Sequence, residues 1–494
     1  MPGVGSSTDS VRTRAEPAAR VLAIGLDSAD RRVVLRMVAE GDLPHIASLV
    51  ERGRHGVVRS PPALGDDATW ASFSSGRWPG DHDRYFWRRL VPGRYETTPV
   101  GDVGDAMRPF WASLAEEGRL VAVLDVPKSS LCDVAGGIQL SDWLVHGRDG
   151  PTRSSPPGFA RDVIERFGDD RIDRPGTDDF LCRETALPEA LQGEFLERLR
   201  EGLEAKRQAS VELLAGGGWD LFLVVFKESH CVGHEFWHAS GGEVDPVRDV
   251  YRRLDAAVGD LLAQVGPDTH VLIFSGRGMD ANYTAEHLLE QALLRLEPRL
   301  PRWCADRMTR FEAVEARIRR RLTPRSSSAW LRGLRHWYQV EHNELSGAIR
   351  LNVRGREPSG RIEPGPEYER WCAFLQAEVA RWVDPDTGQP VVESVVRSDE
   401  AFRGAARSGL PDLFVVWSRD RPITGLASPA IGVVRAAEPG FRSGNHVADG
   451  FYVLAGPAVD RTGPGDAVEI IDLPPTIAAL LGVELPETAG RAVV

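Results

Sequence analysis

Cysteine is scarce and unpaired in this sequence: Cys132, Cys182, Cys231, Cys304 and Cys372 show no CxxC spacing, and their odd number leaves one without a mate. A disulfide framework is excluded as an organising device, and a reducing cytoplasm is the compartment that suits such usage. Long apolar runs are missing too, since no stretch approaches the roughly 20 residues a spanning helix needs, so a membrane protein is not expected. Residues 1–19 hold Arg and Ser but no apolar stretch, and are expected to form a disordered leader rather than a signal peptide. Net positive charge is absent: the formal charge is −12, which argues against generic nucleic-acid binding and leaves any anionic substrate to be caught locally by a metal or a few arginines. Only seven tyrosines stand against 50 glycines and 34 prolines, a balance that favours many tight turns.

What is present is a series of short, unbroken apolar runs: VLAIGLD (21–27), LVAVLDV (120–126), LFLVVFKES (221–229), HVLIFSGRG (270–278), LFVVW (413–417) and GFYVLAG (450–456). Runs of this length without alternation are what strands buried on both faces look like. Helical patterns lie between them, so the expected fold is α/β, a doubly wound and mostly parallel sheet flanked by helices. The 494 residues suffice for one such core with a large insertion. The core is expected over 20–290 and 411–494, and the Arg-rich change of pattern over 291–410 is expected to be an inserted cap of helical and mixed structure. In this architecture ligands collect where strands end. That rule singles out Asp27, the segment Glu228 to His230, and the segment Gly276 to Gly278.

The segment KESHCVGHEFWH places His230 and His234 four apart just after a buried strand, so on a helical turn both imidazoles face one way. A third histidine from elsewhere would complete a set for a divalent metal with an open position, and His446 in the glycine-flanked loop SGNHVADG is the candidate. The bland alternatives are a pair of surface histidines and a solvated loop histidine.

Taken in order, GLDSAD with LPHIASLVERG, TWASFSSGRWPGDH, FKESHCVGHEFW, FSGRGM, GAIRLNVRGREPSG, PDLFVVW, SGNHVADGFYVLAGP and DLPPTIAALLGVELP resemble the landmarks of the alkaline-phosphatase superfamily on its type I phosphodiesterase/nucleotide pyrophosphatase side. The resemblance runs from about Val21 to Val494. It implies an alkaline-phosphatase-like fold with two metals, usually zinc, and a Ser or Thr nucleophile. One metal would be held by an Asp and a His in DxxxH and by a late His, positions that match His230, His234 and His446, with His230 in place of the Asp. The other would use the Asp ending the first strand, the nucleophile, and the Asp-His pair of SDHG. Only Asp27 matches: SDHG is Ser275-Gly276-Arg277-Gly278 here, and Asp66, followed by Asp67, stands where the nucleophile is expected.

These departures imply one divalent metal, zinc by default, with iron, copper or manganese also compatible with three imidazoles. Arg277 would supply the second cation's charge by pairing with Asp27, Asp66 or Asp67. Attack would be direct, with Asp66 or Asp67 accepting a proton, because the nearby hydroxyls of Thr69 and Ser72 occupy positions the family does not use and suit helix-start or packing roles. Glu228 is a candidate partner for a ligand imidazole, or a solvated strand-end carboxylate. Arg350 and Asn352, in the cap-like segment, are candidate substrate contacts. The arginines between Arg302 and Arg335 form a solvated face, or a dock for an acidic carrier protein. The expected function is a single-metal hydrolase or transferase acting on a small phosphate or sulfate ester or diester. Two alternatives are a scaffold recruited for other metal-assisted chemistry on a small biosynthetic metabolite, and a non-catalytic pseudoenzyme.

Overall fold

The computed structural model describes residues 20–100, 108–148, 150–172, 185–298, 329–340, 342, 345–402, 404, 409–437, 439–459, 462–485 and 487–493. The leader at 1–19, Cys182, Cys304 and most of the 302–335 arginine cluster lie outside these residues. Of that cluster, Arg332 bonds the Tyr95 carbonyl and Arg335 the Glu290 carboxylate, so both are engaged within the chain.

The core is a ten-stranded sheet, running in order Gly463–Pro464, Arg54–Arg59, Asp449–Ala455, Thr269–Ser275, Arg20–Leu26, Leu221–Phe226, Val121–Leu124, Ile138–Ser141 and Arg153–Ser155, with Val468–Glu469 also paired to Arg54–Arg59. The strands from Thr269–Ser275 through Ile138–Ser141 are mutually parallel. Asp449–Ala455, which carries the GFYVLAG run, is antiparallel to its neighbours. Arg20–Leu26 lies at the centre, with Ala23 opposite both Leu223 and Leu272. Its side chains alternate between two cores, as the two-residue strand period requires. Leu22, Ile24 and Leu26 pack with Val250 and Leu254 of helix Pro246–Leu262. Val21 and Ala23 pack on the other face with Trp70, Phe73, Leu473 and Ile477.

The run LFVVW corrects the sequence expectation. Leu413–Trp417 is not in the core sheet; it pairs antiparallel with Ser346–Leu351 and Val392–Arg397 in a separate four-stranded sheet completed by Trp337–Val340. This second sheet buries Trp337, Ile349, Leu413 and Trp417 against Leu289 and Leu293 of helix Glu286–Arg295 and Leu375 and Val379 of helix Pro366–Val379. Its residues therefore extend past 410, where the core was expected to resume. Among the described residues no helix is long and apolar enough to cross a membrane.

Candidate metal centre

Four of the parallel strands deliver chemistry at their carboxyl ends. Arg20–Leu26 leads to Asp27, Leu221–Phe226 to helix Glu228–Phe236, Thr269–Ser275 to Arg277, and Ile138–Ser141 to His146. His230 and His234 stand one turn apart on Glu228–Phe236, and His446 comes from strand Gly444–Val447, which lies against that helix. Gly444 allows this by close approach: a Cβ there would stand 2.2 Å from the Gly233 carbonyl oxygen. The segment expected as a glycine-flanked loop is thus a strand over Gly444–Val447, seated by this close packing. His446 then faces His230 and His234 from across the junction.

The three imidazoles form a near-equilateral triangle, with ring centroids 4.7, 4.7 and 4.8 Å apart. His230 donates Nδ1–H to Asp27 Oδ2 (3.0 Å), and His234 donates Nδ1–H to the Gly444 carbonyl (2.8 Å). Each Nε2 is then an acceptor, and these two acceptors face each other at 3.0 Å. Nitrogens about 2 Å from a tetrahedral zinc sit roughly 3.3 Å apart, so a divalent cation satisfies an arrangement that is otherwise repulsive. Burial, then the Arg442 charge, holds His234 well below the ordinary imidazole range; burial, then His230 and Arg277, does the same for His446. Neutral imidazole is the ligating form. His446 Nδ1 is buried without a hydrogen-bond partner among the described residues, a further open valence. The residues present fit a metal.

Around this triangle the sequence-derived candidates take distinct places. Asp66 opens helix Asp66–Ser75 and puts Oδ1 3.9 Å from His446 Nε2; it also groups with His146 and His230 as a potential ligand set. Asp67 turns elsewhere, pairing with Arg84 (3.3 Å) and Lys128 (3.6 Å). Arg277 is 1 % exposed, yet it makes no hydrogen bond to Asp27, Asp66 or Asp67. Its Nε donates to Thr69 Oγ1 (2.6 Å) and its Nη2 to the Pro61 carbonyl (2.9 Å), because the 61–69 segment curls beneath the guanidinium. The expected charged hydrogen bond is thus corrected to a longer-range attraction to Asp66. Nη1 is buried with no partner among the described residues, and burial pushes the guanidinium down to about 10.

Thr69 also donates to the Gly65 carbonyl (3.2 Å), the helix-start role expected of it. Ser72 Oγ lies 3.0 Å from His82 Nε2, but His82 Nδ1 accepts from the Arg84 N–H, so Nε2 carries the proton and cannot act as a base toward Ser72. Burial, then Arg84, keeps His82 neutral, down to about 3. Glu228 is fully buried and neither oxygen has a hydrogen-bond partner among the described residues, which removes it both as an imidazole's partner and as a solvated carboxylate. Arg350 bonds Glu357 and the Leu410 carbonyl, and Asn352 bonds Tyr95, Arg332 and Arg335; both side chains brace the second sheet and neither is offered to a substrate.

Sequence reasoning missed His146, whose ring stacks on His230 at 3.7 Å and whose Nδ1 lies 3.5 Å from Cys231 Sγ. Its position five residues beyond a buried strand was the available signal. It also missed Trp70, whose indole Nε1 donates to Asp27 Oδ1 at 2.9 Å. Gly25 makes that approach workable, since a Cβ there would lie 3.2 Å from the indole ring and 2.9 Å from Val225.

The fold and this triangle define a doubly wound α/β protein with three imidazoles grouped closely enough to fit a metal ion. The model of the type I phosphodiesterase/nucleotide pyrophosphatase family matches residues 21–444, and the chain belongs to that family of metal-dependent phosphate-ester hydrolases. Phosphonoacetate hydrolase from Sinorhizobium meliloti 1021, solved with phosphonoformate, superposes with a TM-score of 0.55 at 13% identity, covering 94% of this chain and 95% of that one. The same enzyme with phosphonoacetate gives 0.53 at 14% identity, with the same coverage of both chains. Human ectonucleotide pyrophosphatase/phosphodiesterase 5 gives 0.50 at 13% identity, covering 96% and 97%. These likenesses establish the alkaline-phosphatase-like fold. No curated protein matches the sequence.

Proposed function

We propose that the chain is a single-metal hydrolase acting on a small phosphate ester or diester, with His230, His234 and His446 holding the metal. The observation that carries this reading is the triangle of three imidazoles in which the Nε2 atoms of His230 and His234 lie 3.0 Å apart. Zinc is the default, and when bound it supplies Lewis acidity to a phosphoryl oxygen. The protein's own groups do the rest. Arg277 offers the unpartnered donors of Nη1 to a second phosphoryl oxygen, where a permanent guanidinium stabilises charge as attack proceeds. Asp66, beside His446 and attracted to Arg277, is placed to accept the proton of an attacking water or substrate hydroxyl. Its own carboxylate is a poor nucleophile toward an anionic ester. Asp67 is held in ion pairs with Arg84 and Lys128 and takes no part in proton transfer.

The test is metal analysis of gently purified protein, followed by hydrolysis of p-nitrophenyl phosphate, bis-p-nitrophenyl phosphate and p-nitrophenyl sulfate. About one equivalent of metal and turnover of a phosphate ester are expected. Turnover of the sulfate alone, or one bound metal with no hydrolysis of any ester, would move the scaffold to another chemistry.

A further inference from the structure

Asp27 ends the central strand at the place where the family resemblance implies a ligand of a second metal, yet both of its oxygens are already committed. Oδ2 accepts from His230 Nδ1 at 3.0 Å, and Oδ1 accepts from Trp70 Nε1 at 2.9 Å and from Ser28 Oγ at 3.2 Å. The side chain is buried, and the backbone is pinned on either side: Asp27 N–H donates to the Phe226 carbonyl, and Ser229 Oγ donates to the Asp27 carbonyl at 2.7 Å. An ionised carboxylate has about four lone-pair sites, and the indole, hydroxyl and imidazole donors take three of them, with both on Oδ1 taken.

We infer that Asp27 is the positioning residue of His230, holding its Nδ1–H tautomer so that Nε2 meets the metal, and is itself no metal ligand. This rests on the tri-imidazole reading proposed above. The chemistry explains two departures from the family pattern together. An Asp at 230 would put two carboxylates about 3 Å apart with no proton donor between them, an arrangement that calls for a cation. A His at 230 supplies that donor, and the carboxylate orients a ligand imidazole and raises its basicity instead. Trp70, seated over Gly25, closes the remaining oxygen.

The experiment titrates chelator-stripped protein with Co2+, following the visible absorption of the bound ion for both stoichiometry and affinity. Native protein and Asp27→Asn should each bind one equivalent. Asparagine offers one oxygen where three donors need acceptors, so the variant should bind about 10- to 100-fold more weakly. In a His230→Ala background, the Asp27→Asn change should no longer weaken binding, because the imidazole it served is gone. Trp70→Phe, which spares the bond to His230, should keep one equivalent at nearly native affinity and serves if Asp27→Asn does not fold. Two equivalents in the native protein with one lost in Asp27→Asn, or a second equivalent gained in Trp70→Phe, would make Asp27 a ligand and overturn the inference. Unchanged affinity in Asp27→Asn would overturn it as well. Absence of binding in the native protein would instead defeat the tri-imidazole reading itself.

Discussion

Replacing Arg277 with Met separates the chemical role of its guanidinium from its structural one. The side chain makes two hydrogen bonds, to Thr69 Oγ1 and the Pro61 carbonyl, each worth about 1.5–3 kcal/mol when the donor is charged. Against that loss stands the relief of a buried cation: its depression from 12.5 to about 10 corresponds to roughly 3 kcal/mol. The opposing contributions leave a net destabilisation of about 0–3 kcal/mol, a fall in Tm of several degrees at about 2–4 °C per kcal/mol. Activity should respond differently. If Nη1 binds a phosphoryl oxygen that gains charge in the transition state, its removal should lower kcat/KM about 10²- to 10³-fold. The assay is bis-p-nitrophenyl phosphate hydrolysis by metal-loaded native, Arg277→Met and Arg277→Lys proteins, with bound metal measured on the same samples. Lysine keeps the charge but not the fork, and should recover part of the loss. A kcat/KM within threefold of native in Arg277→Met, or a loss that follows metal content alone, would refute the argument that Arg277 stands in for a second cation.

Three further outcomes are expected. Glu228 is fully buried and pushed up to about 6, so the folded carboxyl holds its proton more tightly than the unfolded one; stability is lost as pH rises from about 4.5 to 6 and stays lost above. Glu228→Gln should therefore stabilise the protein by about 2 kcal/mol at pH 7.5 and by nothing at pH 4, as denaturant melts at the two pH values would show. Metal removal by a chelator should lower Tm by an amount that grows with the logarithm of the metal concentration used in the control, and His446→Ala should abolish that dependence. With Asp66 where a Ser or Thr nucleophile is expected, a chiral phosphorothioate diester should be hydrolysed with inversion, and Asp66→Asn should lose 10²- to 10⁴-fold in kcat, as an order of magnitude, while retaining metal; retention of configuration would mean a covalent route survives.

The core was legible because strands buried on both faces leave unbroken apolar runs, and five of the six runs singled out lie in the main sheet. LFVVW misled for a physical reason: Leu413–Trp417 is also covered on both sides, but in an antiparallel sheet under its own helices, and burial does not reveal strand direction. The histidines were legible because a helical turn at a strand end places His230 and His234 together whatever the rest of the fold does. The partners of Arg277 were not, since its Nε and Nη2 reach a segment more than two hundred positions away whose path no local pattern encodes. His146 escaped because a search for ligand spacing runs along the chain, whereas its ring meets His230 across the ends of two strands that Val121–Leu124 separates.

Charge ties the departures from the family pattern into one change. With two divalent metals, the resemblance implies three carboxylate ligands: the Asp of DxxxH, the Asp of SDHG, and the Asp that ends the first strand. A neutral hydroxyl nucleophile then leaves the centre with one net positive charge. On the proposed reading, one metal and the Arg277 guanidinium face Asp27 and Asp66, and the remainder is again one positive charge. Asp67 does not enter, because Arg84 and Lys128 neutralise it outside the triangle. Had SDHG become SGRG alone, with Asp kept at 230 and a hydroxyl at 66, the centre would carry one metal and one guanidinium against two carboxylates, and Asp27 would lack both its metal and a donor for Oδ2. His230 repairs the second defect and removes one negative charge, which Asp66 restores next to the cationic groups that tolerate it. The changes at 230 and 66 are therefore coupled in charge, since His230 without Asp66 would leave the centre one unit more positive. Reverting His230 to Asp should therefore cost more in the native background than after Asp66→Ser, and metal affinity measured across that double-mutant cycle is where the coupling would appear or fail.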